Sequence, residues 1–82
     1  MTTEYYRIEN NQEIKIERDE IKKGQLIKIT RTVNGEIVNE QRIVTLTDPY
    51  EHKTVNPFAT FNRGWVVQAK IPPSSKVWTV KL

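Results

Sequence analysis

Residues 25–47 read QLIKITRTVNGEIVNEQRIVTLT, and this stretch decides the fold. Two runs rich in Ile, Val and Thr, Gln25–Val33 and Glu36–Thr47, flank the dipeptide Asn34-Gly35. Asn-Gly readily adopts the two left-handed backbone conformations of a tight hairpin turn, and β-branched side chains pack well on a pleated surface. The stretch therefore predicts a long antiparallel hairpin.

The strand pairing within this hairpin has two alternatives. A two-residue type I′ turn places Val33 opposite Glu36. A three-residue loop with Gly35 in the left-handed conformation places Lys28 opposite Glu40, so that opposite charges face each other across the ladder. Such a pair contributes only about 0.2–1 kcal/mol, and both registers therefore stay open.

The composition of the whole chain extends the β prediction. Ile, Val and Thr total 26 of the 82 residues, whereas Ala and Leu, which favour helices, total five. Cysteine is absent, so neither a disulfide nor a thiolate metal site supplements the core. Residues 1–82 are predicted to form a single small β domain, since a chain of this length has room for one core.

A second hairpin is predicted near the N-terminus. Residues 4–9 and 12–18 flank Asn10-Asn11, and Asn tolerates the left-handed conformations of a two-residue turn. In that register Tyr5 lies opposite Ile16, and both side chains point toward the core.

A third hairpin is predicted at the C-terminal end, where Trp65–Ile71 and Lys76–Leu82 flank a proline-containing turn. Matching the apolar faces places Ala69 opposite Trp78, so that both tryptophans point inward. A buried Trp78 would make Trp78→Ala cost about 3–5 kcal/mol. The outward face then carries six residues: Val66, Gln68, Lys70, Val77, Thr79 and Lys81.

Together these hairpins predict an all-β fold, a small antiparallel barrel or compact sandwich of five to six short strands, SH3-like or OB-like. Residues 23–29, KGQLIKI, resemble the first barrel strand of SH3-like domains, in which a turn glycine precedes alternating apolar residues. The resemblance covers those residues and implies a small barrel.

The charge distribution divides the chain. Residues 52–82 contain no Asp or Glu, so this part has a net charge of +5 while residues 1–51 have −2. Clustered cations attract phosphate groups, and nearby aromatic rings can stack on bases. The C-terminal hairpin is therefore a candidate nucleic-acid surface, and its contacts would come from five cations: Lys53, Arg63, Lys70, Lys76 and Lys81.

Residues 48–64 form the longest stretch without clear alternation and are predicted to be a loop. The stretch presents residue types that dominate protein interfaces, and its candidate partner-binding residues are Tyr50, His52, Phe58, Phe61 and Arg63. Phe58 and Phe61 have a second interpretation, in which they close an open end of the barrel core. Long loops in compact domains are often functional, which makes this loop the first candidate for partner binding.

The sequence offers little for catalysis. His52 is the only histidine, Ser74 and Ser75 lie in a proline turn, and the three glycines are isolated. Asp48, Glu51 and His52 are interpreted as a polar turn rather than a metal site. No enzyme activity, metal or small-molecule cofactor is predicted.

The predicted function is a non-catalytic protein-interaction module, such as an accessory subunit, an inhibitor or a small structural subunit. It would bind another protein through the loop of residues 48–64 or through an exposed strand edge, which would also allow a homo-oligomer. The alternative is a nucleic-acid-binding barrel that uses the basic hairpin of residues 52–82. The N-terminus resembles no signal peptide, and no apolar run reaches the roughly 18 residues of a membrane span, so a soluble, cytoplasmic protein without a membrane partner is expected.

Overall fold

The computed structural model describes residues 1–53 and 63–82, together with their side chains except those of Lys53 and Arg63. These residues form one sheet of seven antiparallel strands that curls into a half-barrel, with strand order β2-β1-β3-β4-β6-β5 and β7 paired to β6. The strands are β1 (Thr2–Glu9), β2 (Gln12–Ile16), β3 (Leu26–Val33), β4 (Glu36–Thr45), β5 (Tyr50–Lys53), β6 (Arg63–Lys70) and β7 (Val77–Lys81), with a short 3-10 turn at Arg18–Glu20. The predicted all-β fold is confirmed, with seven strands rather than five or six.

The central hairpin has the two-residue turn. Asn34 and Gly35 both have positive φ, 52° and 80°, and Val33 pairs with Glu36. A β-bulge follows, because Ile37 pairs with Thr32 while Asn39 pairs with Arg31, which leaves Val38 as the extra residue. The bulge shifts the pairing of the rest of the hairpin by one residue, so that Lys28 pairs with Arg42. The alternative register, with a three-residue loop and Lys28 opposite Glu40, is therefore wrong.

The N-terminal hairpin has the predicted pairing. Tyr5 lies opposite Ile16, and Asn10 and Asn11 have φ values of 51° and 62°. Strand β2 ends at Ile16, two residues earlier than predicted. The chain then enters the 3-10 turn, which the side chains of Glu17 and Glu20 close by accepting hydrogen bonds from each other's backbone N–H groups.

The C-terminal hairpin also has the predicted pairing, with Ala69 opposite Trp78 and Val67 opposite Val80. The prediction that both tryptophans are buried is wrong, since Trp65 is 38% exposed and Trp78 is 44% exposed. Both face the concave side but lie toward the two ends of the hairpin, whereas Val67 and Val80 occupy its buried middle. Val66, predicted to be exposed, is buried.

Side chains from both halves of the sheet meet on the concave side. The fully or nearly buried cluster consists of Ile16, Ile21, Ile27, Ile29, Ile43, Val67, Ala69 and Val80, and it is bordered by Tyr5, Ile71 and Leu82. Strands β2, β3 and β4 and the connection after β2 provide the isoleucines, and β6 and β7 provide the smaller side chains. The half-barrel therefore buries one narrow apolar core, as expected for a domain of this size.

Hydrogen bonds between β4 and β6 join the two halves of the chain. The ladder consists of the pairs Val44–Lys70 and Thr45–Ala69. The N–H of Leu46 extends it by donating to the carbonyl of Gln68 over 2.7 Å. Beyond a bend at Asp48-Pro49, the chain returns to the same edge of β6 as strand β5.

The predicted loop of residues 48–64 is wrong at both ends. Tyr50–Lys53 forms β5 and pairs with the first residues of β6, from Arg63 to Val66. Tyr50–Lys53 forms a strand because its backbone pairs with β6, although its side chains do not alternate between apolar and polar. Phe58 and Phe61 lie outside the described residues. In the part of the chain that the structure describes, no helix has the length and apolar character that a membrane span requires.

Candidate functional site

The cations of the predicted nucleic-acid surface lie on two faces. Lys70 and Lys81 project from the convex face of the C-terminal hairpin, with Gln68 and Thr79 between them. The ammonium group of Lys76 lies 4.5 Å from the centroid of the Trp78 ring, on the concave side. Lys53 and Arg63 pair through their backbones, and their side chains lie outside the described part of the structure. The structure therefore brings Lys70 and Lys81 to one face and separates Lys76 from them.

Tyr50 and His52 project from the same face of β5. The side-chain amide of Gln68 donates hydrogen bonds to the hydroxyl of Tyr50 and to that of Thr79, each over 2.8 Å. These bonds hold the Tyr50 hydroxyl in place while the residue stays 39% exposed. His52 is exposed opposite Gly64. These two members of the predicted partner-binding set are thus accessible on one side of the molecule.

Asp48 has a structural contact at the bend before β5. Its carboxylate accepts a hydrogen bond of 2.8 Å from the N–H of Lys23, which ties the bend to the segment before β3. Within residues 1–53 and 63–82, no group of three His, Asp or Glu side chains is arranged to hold a metal ion.

A network of charged side chains covers the convex face of β1 to β4. Lys28 donates to the Glu13 carboxylate over 2.5 Å, and its ammonium lies 4.0 Å from Glu40 and 4.8 Å from the centroid of the Tyr6 ring. The hydrogen bond from Lys28 is the main cause that lowers the pKa of Glu13 below its usual value. Because Lys28 already contacts two glutamates and an aromatic ring of the same sheet, this network is interpreted as structural.

A pocket of about 310 Å³ opens beside Trp65, between the 3-10 turn and the bend at Asp48-Pro49. The guanidinium of Arg18 lies over the indole ring of Trp65, 5.2 Å from its centroid. The pocket lining consists of Arg18, Asp19, Ile21, Lys22, Asp48, Pro49 and Trp65. An exposed aromatic ring with a guanidinium stacked on it is a surface on which planar groups can bind.

A second arginine lies on the same concave side. Arg31 stands opposite Thr3 on the adjacent strand, and its guanidinium donates to the carbonyl of Lys81 over 2.8 Å. Both Arg18 and Arg31 lie close enough to Tyr5 to lower the pKa of its hydroxyl, although burial has the larger effect and raises that pKa. The two arginines therefore flank one tyrosine at the open end of the half-barrel.

The sequence analysis missed these two arginines, although a signal was present. Arg18 follows Ile14 and Ile16 with a spacing of two residues, and Arg31 follows Ile27 and Ile29 in the same way. In a strand, residues two apart share a face. Arg31 thus continues the inward-facing row of β3 beyond the end of the core, whereas Arg18 lies in the 3-10 turn after β2 and contacts Trp65 from there.

The apolar side chains with the highest exposed fraction in the described sheet lie at the turn between β3 and β4. Ile37 is 62% exposed and Val38 is 59% exposed, with Val33 beside them at 38%. We refer to these three residues as the hairpin tip. In the described residues, Glu36–Ile43 of β4 pairs with β3 alone, so the other edge of this segment has no strand beside it.

Comparisons with known proteins give no relative for this chain: no family model matches it, and neither does any curated protein or any solved structure.

Proposed function

We propose that this chain is a non-catalytic protein-interaction module that binds its partner through the hairpin tip. The supporting observation is the exposure of Ile37 and Val38, each more than half accessible to solvent. Exposed β-branched side chains cost free energy in water, and a protein partner that covers them recovers it. Adjacent apolar side chains at a projecting turn are more typical of a contact surface than of ordinary solvated surface.

The edge of β4 next to the tip offers main-chain hydrogen bonds to the same partner. The bulge at Val38 interrupts this edge, which leaves Asn39–Arg42 as its regular segment. A short extended peptide could pair there while its side chains contact Ile37 and Val38. The bulge also disfavours uncontrolled pairing between sheets, since irregular edges are poor templates for aggregation.

The sequence-based surface of Tyr50, His52, Phe58, Phe61 and Arg63 stays a prediction. The exposure of Tyr50 supports it, because tyrosine often carries interface energy. An SH3-like peptide-binding arrangement, a role as accessory subunit, inhibitor or structural subunit, and a cytoplasmic location likewise stay predictions.

Site-specific photo-cross-linking tests the proposal. A benzophenone amino acid replaces Val38 in one variant of the full chain and Val77 in another. Val77 is a matched control, because it is an apolar strand residue that is 49% exposed and lies away from the tip. We expect one discrete adduct in native extract from position 38, reduced by Ile37→Asn, and none of the same mass from position 77. Equal adducts from both positions, or none from position 38, would overturn the proposal.

Binding of nucleic acid by the C-terminal hairpin is the second candidate. The supporting observation is that Trp78 is 44% exposed with Lys76 stacked on it, because an accessible aromatic beside a cation is the unit that binds single strands. Fluorescence anisotropy with labelled single-stranded and duplex oligonucleotides, at about 50 and 200 mM salt, tests it. We expect Lys76→Gln to weaken binding more than Lys15→Gln, which removes an exposed lysine from β2.

A further inference from the structure

We propose that Thr3, Tyr5, Arg18, Arg31 and Trp65 form a binding site for the phosphate backbone of single-stranded nucleic acid, with a base stacked beside Trp65. We refer to these residues as the arginine cradle. The cradle lies on the concave side of the half-barrel, whereas the Lys70 and Lys81 side chains project from the convex face, although Arg31 of the cradle contacts the backbone carbonyl of Lys81. It goes beyond the proposed protein-interaction function, and it uses neither Lys76 nor Trp78 of the C-terminal-hairpin candidate.

The two arginines of the cradle keep their charge available for a ligand. Elsewhere on the first four strands, the basic side chains lie within 4.0 Å of a glutamate: Arg7 with Glu9, Lys15 with Glu4, Lys28 with Glu13, and Arg42 with Glu13. Neither Arg18 nor Arg31 has such a partner among the described residues. The N–H groups of Arg31 that do not contact Lys81 can therefore bind an anion.

The sheet sets the spacing of the cradle. Arg31 on β3 lies beside Thr3 on β1, and Arg18 follows the end of β2 on the other side of β1. Neighbouring strands are about 4.8 Å apart, so the end of β2 at Ile16 and Arg31 on β3 lie roughly 10 Å apart, and Arg18 follows two residues beyond Ile16. Long guanidinium side chains span that distance and bind phosphate oxygens in pairs. Thr3 and Tyr5 lie on β1, between β2 and β3, and carry hydroxyl groups that can act as further donors.

Trp65 distinguishes this site from a simple anion site. Its indole is 38% exposed, and the Arg18 guanidinium stacked on it extends the planar surface. Nucleic-acid bases stack on both indole rings and guanidinium planes, at about 1–3 kcal/mol per base for aromatic side chains. A duplex hides its base faces, so the cradle favours unpaired nucleotides.

Two acidic side chains near the cradle weaken phosphate binding and restrict the path that the phosphate backbone of the ligand can take. Asp19 follows Arg18, and Glu51 stands opposite Trp65 on β5. Phosphates are repelled on that side, so the backbone of the ligand is expected to cross over Tyr5 and Arg31. Because only two cations contact phosphate, the affinity should decrease by less than about tenfold between about 50 and 200 mM salt.

Anisotropy titrations of the full chain with labelled oligothymidylate test the cradle. Arg18→Gln and Arg31→Gln should each weaken binding roughly tenfold at low salt. Arg42→Gln is the matched control, because it removes an exposed arginine from the convex face, and it should change binding less than about twofold. Thermal unfolding shows whether each variant is folded. Arg31→Lys keeps the positive charge but not the planar guanidinium, so it should bind oligothymidylate more weakly than the wild type does.

Two-dimensional NMR spectra locate the site through the indole N–H signals of the two tryptophans. Oligothymidylate should shift the Trp65 signal and leave that of Trp78 in place. The inference is overturned if Trp78 alone shifts, if Arg42→Gln weakens binding as much as Arg18→Gln, or if no binding occurs at low salt. It is also overturned if a free mononucleotide binds as tightly as the oligonucleotide, or if an oligoglutamate does, since the ligand would then be a nucleotide or a general anion.

Discussion

The hydroxyl of Thr45 donates a hydrogen bond of 2.6 Å to the carbonyl of Lys22, although the two residues belong to different segments of the chain. The same oxygen accepts a hydrogen bond of 3.0 Å from the N–H of Gln25. Thr45 is 1% exposed, so its hydroxyl serves two backbone groups where water has little access. This one side chain fixes the segment that leads into β3 against the end of β4.

Thr45→Val should lower the free energy of unfolding by about 1–3 kcal/mol, because it keeps the shape of the side chain and leaves the N–H of Gln25 and the carbonyl of Lys22 without their partner. Urea unfolding followed by tryptophan fluorescence measures the change. Thr45→Ser, which keeps the hydroxyl, is the control and should retain more of the stability. Unchanged stability in Thr45→Val, with a loss in Thr45→Ser, would show that packing of the methyl group matters and the hydroxyl does not.

Trp78→Ala should cost about 1–2 kcal/mol rather than the 3–5 kcal/mol expected for a buried tryptophan, because nearly half of the side chain is already in water. Ile29→Ala, at a fully buried position, should cost about 2–5 kcal/mol despite the smaller side chain. Urea titrations of both variants give the order. A larger loss for Trp78→Ala than for Ile29→Ala would contradict the exposed position of the indole.

Glu13→Gln should destabilise the protein at neutral pH and have little effect in acid. The hydrogen bond from Lys28 lowers the pKa of Glu13 in the folded state, so folding favours the carboxylate. That stabilisation is complete above the unfolded-state pKa of the carboxyl group and is lost as the pH falls through the lower folded-state value. Unfolding curves at about pH 7 and pH 3 test this. Glu36→Gln, which removes an exposed acid with no ion pair to a described residue, is the control. If Glu36→Gln showed the same pH dependence of stability as Glu13→Gln, the hydrogen bond between Lys28 and Glu13 would not be its cause.

Gly35→Ala should cost about 1 kcal/mol, and Gly35→Asn should cost less. Gly35 has a φ of 80°, and a Cβ placed there meets no atom within 4 Å, so the cost comes from the backbone conformation alone. Asn tolerates the left-handed region better than Ala does. Thermal unfolding of the two variants provides the comparison, and equal melting temperatures would show that the turn does not depend on this conformation.

Local chemistry explains why the hairpins could be predicted from the sequence. Asn10-Asn11 and Asn34-Gly35 define tight turns, and the period-two alternation then determines which residues pair, as in Tyr5 with Ile16. Neither predicted register contained the bulge at Val38, and one cross-strand pair contributes too little energy to distinguish one register from another. Strand β5 was missed for a related reason, since the pairing of Tyr50–Lys53 depends on a free edge of β6 rather than on its own side chains.

The candidate sites were harder to predict from the sequence than the fold was. The predicted nucleic-acid contacts all lay in the acid-free segment of residues 52–82, which contains Lys76 and Lys81 but neither Arg18 nor Arg31. Whether a cation is already neutralised depends on neighbours from other strands, as with Lys28 and Glu13. The extent of tryptophan exposure also depends on where the core ends, which the alternation pattern does not specify.

The short ladder between β4 and β6 has a consequence for the order of events during synthesis. Strands β1 to β4 pair among consecutive segments and can form their ladders while the rest of the chain is still being made. The Thr45–Ala69 pair must close a loop of more than twenty residues, at a larger entropic cost. Until β6 and β7 emerge and dock, Ile27, Ile29 and Ile43 face water. The nascent chain is therefore most vulnerable to aggregation in the interval between completion of β4 and arrival of β7.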